Sequence, residues 1–266
     1  MIGVFAGAVP GVTGTVAVVT GAGRGIGAAY AQTLGAAGAS VACLDIDEPS
    51  ALQVASEIVS AGGTALGIRA DVTDDVSLGE AAATVASELG PTRHLIANAG
   101  ILGPMGPTAD VDLDHWKSTL DVNVTGVFLS VKLFADQVRS QAGTIMLASS
   151  VAGLRGWTDM IAYHASKHAV IGLMRCWANE YAADGVRVNA VCPGWVETAM
   201  IGAQAEAAGL SADEAEALWT TDQLIERFVQ PQEVANAVVW VCSDWASMIQ
   251  AVVLPVDGGL VERTNR

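Results

Sequence analysis

The chain has 266 residues, with 13 Lys and Arg against 28 Asp and Glu, a formal net charge of −15, and 52% apolar against 15% charged residues. This composition lies far from the disordered class, and a chain of this length buries a full core without disulfide or metal staples. The negative charge opposes nucleic acid and anionic membrane surfaces as partners.

The four cysteines, Cys43, Cys176, Cys192 and Cys242, are scattered and do not cluster with histidines, so neither a zinc site nor a disulfide framework is expected. No Lys or Arg precedes Arg24, and Pro10-Gly11 interrupts the opening stretch, which therefore lacks the charged start of a signal peptide. No apolar run reaches membrane-spanning length, and a cytoplasmic location is the expectation.

The first apolar run of strand length covers 15–20 and leads into Thr20-Gly21-Ala22-Gly23-Arg24-Gly25-Ile26-Gly27, after which a helical period begins over 27–37. Glycines permit positive φ, let backbone approach a diphosphate closely, and leave helix N–H groups facing the anion. Between a strand and a helix of a first βαβ unit, this turn reads as a dinucleotide site. The second strand, 40–44, ends at Asp45, 18 residues beyond Gly27, where a carboxylate would accept from the adenosine ribose hydroxyls and repel a 2′-phosphate. Asp47 and Glu48 add negative charge, which favours NAD; Arg24 in the glycine turn is the feature that favours NADP instead.

Helical periods over 49–61 and 77–89 flank a third strand at 64–69, and a fourth strand covers 94–97. A long helix is expected over 114–139, a fifth strand over 143–148, a further helix over 163–183 and a sixth strand over 186–192. The segment 197–230 departs from the alternation and reads as one or two short helices, either a substrate lid or a packed surface pair. A last strand covers 252–256. Strands that are continuously apolar are buried on both faces, so the expected fold is α/β, a single doubly wound domain over 1–266 with a parallel sheet of about seven strands and helices on both faces.

Within Tyr163-His164-Ala165-Ser166-Lys167, the tyrosine and lysine are four residues apart and share a helix face. A nearby ammonium favours the phenolate, and a phenol so tuned can exchange a proton with a carbonyl or alcohol oxygen. His164 points about 100° away from Tyr163 and receives no role.

Together these motifs resemble the short-chain dehydrogenase/reductase family: TGxxxGxG at Thr20 to Gly27, Asp71-Val72, Asn98-Ala99-Gly100, Asn123 in Asn123-Val124-Thr125-Gly126, Ser150 thirteen residues before Tyr163, YxxxK at Tyr163 and Lys167, Pro193-Gly194 ahead of Thr198, and Asp257-Gly258-Gly259. The resemblance runs from Thr15 to about Gly259. It implies Tyr163 as general acid/base, Lys167 as its electrostatic partner and ribose ligand, Ser150 as donor to the substrate oxygen, and Asn123 as holder of a relay water. It further implies Gly21, Arg24, Gly25, Ile26 and Gly27 at the diphosphate, Asp45 at the ribose, Asp71 and Val72 at the adenine, and Asn98, Ala99 and Gly100 at the inner ribose. Pro193, Gly194, Val196 and Thr198 are implied at the nicotinamide carboxamide.

Ile101, Leu102, Ala152, Leu154, Trp157, Met160, Trp195 and Met200 are expected near the substrate, with Arg155 the nearest cation. Nearly all are apolar, which points to a neutral hydrophobic secondary alcohol or ketone, although Trp157 and Trp195 can equally be structural. An NADPH-dependent carbonyl reductase and a silent NAD(H)-binding sensor are the alternatives. The resemblance also implies a homotetramer or homodimer, assembled through the two long helices and the last strand.

Overall fold

In a computed structural model, which describes residues 7–263, the strands are β1 (Val16–Thr20), β2 (Ser40–Asp45), β3 (Thr64–Arg69), β4 (Thr92–Ala97), β5 (Thr144–Ala148), β6 (Arg187–Pro193) and β7 (Val253–Val256). All pairings in this sheet are parallel, in the order β3-β2-β1-β4-β5-β6-β7. The helices are α1 (Gly25–Ala36), α2 (Glu48–Ser60), α3 (Asp75–Glu88), α4 (Leu113–Leu120), α5 (Gly126–Ser140), α6 (Ile161–Glu180), α7 (Ala199–Ala207), α8 (Ala212–Trp219) and α9 (Pro231–Cys242). The opening stretch read for a leader lies partly outside the described residues. Among those described, no helix is long and apolar enough to cross a membrane.

The continuous apolar strands have a direct geometric cause. Side chains alternate between faces, and both faces are covered. Val16 and Val18 of β1 pack with Leu95 of β4 and Ile145 and Leu147 of β5 under α3, α5 and α6. Ala17, Val19, Ile96 and Met146 face the other way, against Tyr30 and Leu34 of α1, Val54 and Ile58 of α2 and Val238 of α9. A third, smaller cluster of Ala205, Ala215 and Phe228, with Trp195, Ile201, Leu210 and Trp219 against it, lies in the 197–230 segment. That segment forms α7 and α8, two short helices as expected.

One expected element is divided. The helical period over 114–139 is carried by α4 and α5, with a π-helical stretch at Asp121–Thr125 between them. The inserted residue of a π turn widens the helix and re-aims side chains locally while leaving the apolar period on either side readable. Asn123 sits inside this stretch and is fully buried.

Gly143 enters β5 against the backbone of β4: a Cβ built there lies 1.9 Å from the Arg93 carbonyl oxygen. Gly143→Ala is therefore expected to destabilise the fold by about 2 kcal/mol or more, read as a lowered urea midpoint at unchanged slope. An unaltered midpoint would contradict so close an approach of the two strands.

Candidate active site

The sheet's order reverses between β1 and β4, where successive crossovers leave in opposite directions and open a crevice at the strands' C-terminal ends. The Thr20 hydroxyl accepts from the backbone N–H groups of Asn98 and Ala99 at 3.0 and 3.1 Å, while the Asn98 amide donates to the carbonyls of Thr20 and Gly21 at 3.0 and 3.2 Å. Gly21 has φ +64, and a Cβ on it would meet the Ala99 backbone at 2.9 Å. On Gly27 a Cβ would lie 1.9 Å from the Gly21 carbonyl, so α1 rests directly on the turn.

This turn fits a dinucleotide. The first turn of α1 contains no acidic residue, and its N-cap, Arg24, makes no side-chain capping bond, so the free N–H groups and the positive helix end are open to an anion. Gly25, at φ +56, has only the Thr198 side chain near the position of a Cβ. Asp45 is half-buried beside the turn; its carboxylate accepts from Gly23 N–H at 2.8 Å and Asp47 N–H at 3.0 Å. Arg24 is exposed. Asp71 accepts from the Thr73 backbone and hydroxyl, and Val72 packs against Gly126 at the start of α5, where a Cβ would lie 2.7 Å from its side chain.

Across the crevice, the end of β5 and the start of α6 bring Ser150, Tyr163 and Lys167 together. The Ser150 hydroxyl accepts from Ala152 N–H at 3.1 Å and hydrogen-bonds the Tyr163 phenol. Lys167 is buried, donates to the Ala148 carbonyl at 2.8 Å, and holds its Nζ 5.5 Å from the centre of the Tyr163 ring. The neighbouring Ser149 hydroxyl donates to the Lys167 carbonyl at 2.8 Å, anchoring α6 to β5.

Asn123 reaches this group through the π-helical stretch. Its amide exchanges hydrogen bonds with the backbone N–H and carbonyl of Ile101, both at 2.8 Å, and donates to the Ser166 hydroxyl at 3.0 Å. Gly100 lies between Asn123 and Lys167: a Cβ there would stand 3.2 Å from Asn123 Oδ1 and 3.4 Å from Lys167 Nζ.

The electrostatics differ from the simple expectation of a phenol pulled down by its lysine. Burial raises the Tyr163 pKa above the ordinary phenol value, opposed by the Ser150 hydrogen bond, although part of the residue's surface remains open to the cleft. Burial also lowers Lys167, to about 8. Each group alone is pushed towards its neutral form by the same lack of water.

A cleft opens over these residues, with Leu102, Ala152, Trp157, Met160, Trp195 and Met200 in its wall as expected. Pro193, Gly194, Val196, Thr198 and Ile26 also line it. Ile101 and Leu154 do not line it; Ile101 is partly exposed and Leu154 packs against the α6 side of the core. Ser149, Val151, Ile201 and Gln204 line it without having been expected. Met200, Ile201 and Gln204 share a face of α7 at helical spacing, so one correctly placed wall residue identifies the others. Among the described residues, no lining side chain carries a charge.

The profile of a family described as Enoyl-(Acyl carrier protein) reductase matches residues 21–261. Cis-4-hydroxycyclohexanecarboxylate dehydrogenase of Sinomonas cyclohexanicum is 40% identical over 92% of this chain and 95% of its own. 2-(S)-hydroxypropyl-CoM dehydrogenase 3 of Xanthobacter autotrophicus is 38% identical over 92% and 96%. The crystal structure of levodione reductase superposes with a TM-score of 0.90 at 29% identity, covering 95% of this chain and 99% of that one. With the glycine turn, the switch-point ties and the YxxxK helix described above, these matches place the chain in the short-chain dehydrogenase/reductase family of NAD(P)-dependent oxidoreductases.

Proposed function

We propose that this oxidoreductase transfers hydride between NAD(H) and a neutral secondary alcohol or ketone with an apolar flank. The observation that carries this reading is the meeting of Ser150, Tyr163 and Lys167 at the floor of an uncharged cleft, beside an uncapped helix N-terminus. The bound cofactor supplies hydride acceptance or donation at its nicotinamide; the chain supplies position, proton transfer and a dry surrounding.

Tyr163 is the proton-transferring group: as phenolate it takes the alcohol proton, and as phenol it returns a proton to the carbonyl oxygen. Ser150 donates to the same substrate oxygen, where negative charge develops. Lys167 offsets the phenolate's charge, and the two buried groups assist each other because the phenolate and ammonium together are neutral. Asn123, close to Lys167 on the far side of Gly100, is proposed to hold a water that passes the proton outward. The α7–α8 segment serves as the substrate lid, since Met200, Ile201 and Gln204 on α7 line the cleft.

The 40%-identical relative's name contains a carboxylate, whereas among the described residues none lining this cleft is cationic and the nearby Arg155 stacks over Trp157 and donates to the Leu260 carbonyl, which supports a neutral substrate for this chain. Asp45 supports NAD over NADP because a 2′-phosphate would meet its carboxylate at the turn. Exposed Arg24 favours the alternative, an NADPH-dependent reductase. A homotetramer or homodimer is carried as part of the proposal, supported by the exposed Leu113 and Phe128 on α4 and α5.

Three outcomes are expected. NADH formation across a panel of cyclic and open-chain secondary alcohols should fall about a thousandfold in Tyr163→Phe with NADH binding retained; equal turnover in the variant would dismiss the tyrosine's role. Asp45→Ala should shift the ratio of NADP to NAD turnover by about tenfold towards NADP, and an unshifted ratio would remove the carboxylate from cofactor selection. Because burial raises the Tyr163 pKa, alcohol oxidation should climb about tenfold per pH unit on its rising limb, while ketone reduction persists into alkaline solution. Flat profiles in both directions would mean that another group moves the proton.

A further inference from the structure

Next to the reacting tyrosine, His164 is buried on α6, and both of its ring nitrogens are engaged by a single loop. Nε2 lies 3.0 Å from the backbone nitrogen of Trp157, and Nδ1 lies 2.8 Å from the Met160 carbonyl. An N–H can only donate and a carbonyl can only accept, so the two contacts select one tautomer: neutral imidazole with the proton on Nδ1. The ring also packs against the Trp157 indole, with centroids 5.6 Å apart at 52°.

The two residues so held, Trp157 and Met160, are both walls of the cleft. The loop between them does not hold this shape through local preference. Asp159 has φ +67, a left-handed conformation that non-glycine residues rarely adopt, and its carbonyl accepts from Gly106 N–H at 2.8 Å. The Met160 carbonyl also accepts from the His164 backbone N–H at 3.0 Å, so the imidazole is the distinctive hold on Trp157, while Gly106 holds Asp159 from the other side.

We propose that His164 is a positioning residue that sets substrate selection: its imidazole clamps the 157–160 loop and so fixes Trp157, and together with the α6 backbone Met160, in the cleft wall. It touches neither the proton-transferring phenol's partners nor the reacting atoms, and acts through the two wall residues. Removing it would leave Ser150, Tyr163 and Lys167 in place, and would release the surface against which the apolar flank of a substrate packs. Substrate affinity should then fall while turnover of bound substrate is largely kept.

The test uses three variants and two readouts. His164→Gln retains an acceptor for the Trp157 N–H, His164→Asn retains a donor for the Met160 carbonyl, and His164→Leu retains neither. Hydrogen exchange of the Trp157 amide should be slow in the wild type and in His164→Gln, and fast in His164→Asn and His164→Leu. For the best alcohol of the panel, KM in His164→Leu should rise about tenfold with kcat within about threefold, and His164→Gln should recover much of the loss. The kinetic half rests on the alcohol dehydrogenase reading above, whereas the exchange half does not. If no alcohol is turned over by the wild type, that reading fails and the exchange pattern alone decides the clamp. A Trp157 amide that stays protected in His164→Leu, or a fall in kcat at constant KM, would overturn the proposal.

Discussion

Parallel strands end with backbone groups that their neighbours do not pair, and where the strand order reverses the chain must keep two such ends together while their crossovers diverge. Here the Thr20 hydroxyl and the Asn98 amide perform that closure, with four hydrogen bonds of 3.0 to 3.2 Å between the ends of β1 and β4. The glycine turn can then fold back over Ala99, and α1 can settle on the Gly21 carbonyl with no side chain between. Everything on the cofactor side inherits its position from this junction. The carboxylate of Asp45 is aimed by Gly23 of the same turn, so the acidic residue and the anion-facing helix end form one rigid unit.

On the opposite side of the crevice, positioning is governed by shortage of water. A buried phenol and a buried ammonium are each unfavourable when charged alone, and their pKa values move towards neutrality from opposite directions. Together they form a pair whose charged state is supported only jointly. In the proposed mechanism proton transfer at Tyr163 would draw on Lys167, which is itself anchored by the Ala148 carbonyl and approached by Asn123 across Gly100.

Much of this was legible in the amino-acid order, and for identifiable reasons. Strands buried on both faces leave continuous apolar runs, so their places are readable to within one or two residues, and glycines that admit no Cβ mark the turn. The break at Asp121–Thr125 was not legible, because one additional residue in a π turn leaves the apolar spacing of α4 and α5 intact on either side. Nor could spacing show that burial raises the Tyr163 pKa, since desolvation depends on how the whole fold encloses a group. His164 illustrates the same limit: its angular offset from Tyr163 is a property of the helix, but its partners belong to a loop whose path only the folded chain defines.

The separate cluster of Ala205, Ala215 and Phe228, joined to the end of β6 through the stacked Trp195 and Trp219 rings, packs apart from the sheet's two large cores. Mutations that reshape α7 and α8 disturb a handful of apolar contacts and leave the sheet's two large cores untouched. On the proposed reading, substitutions in this segment would alter what packs against the cleft while leaving the frame under Tyr163 and Lys167 unchanged.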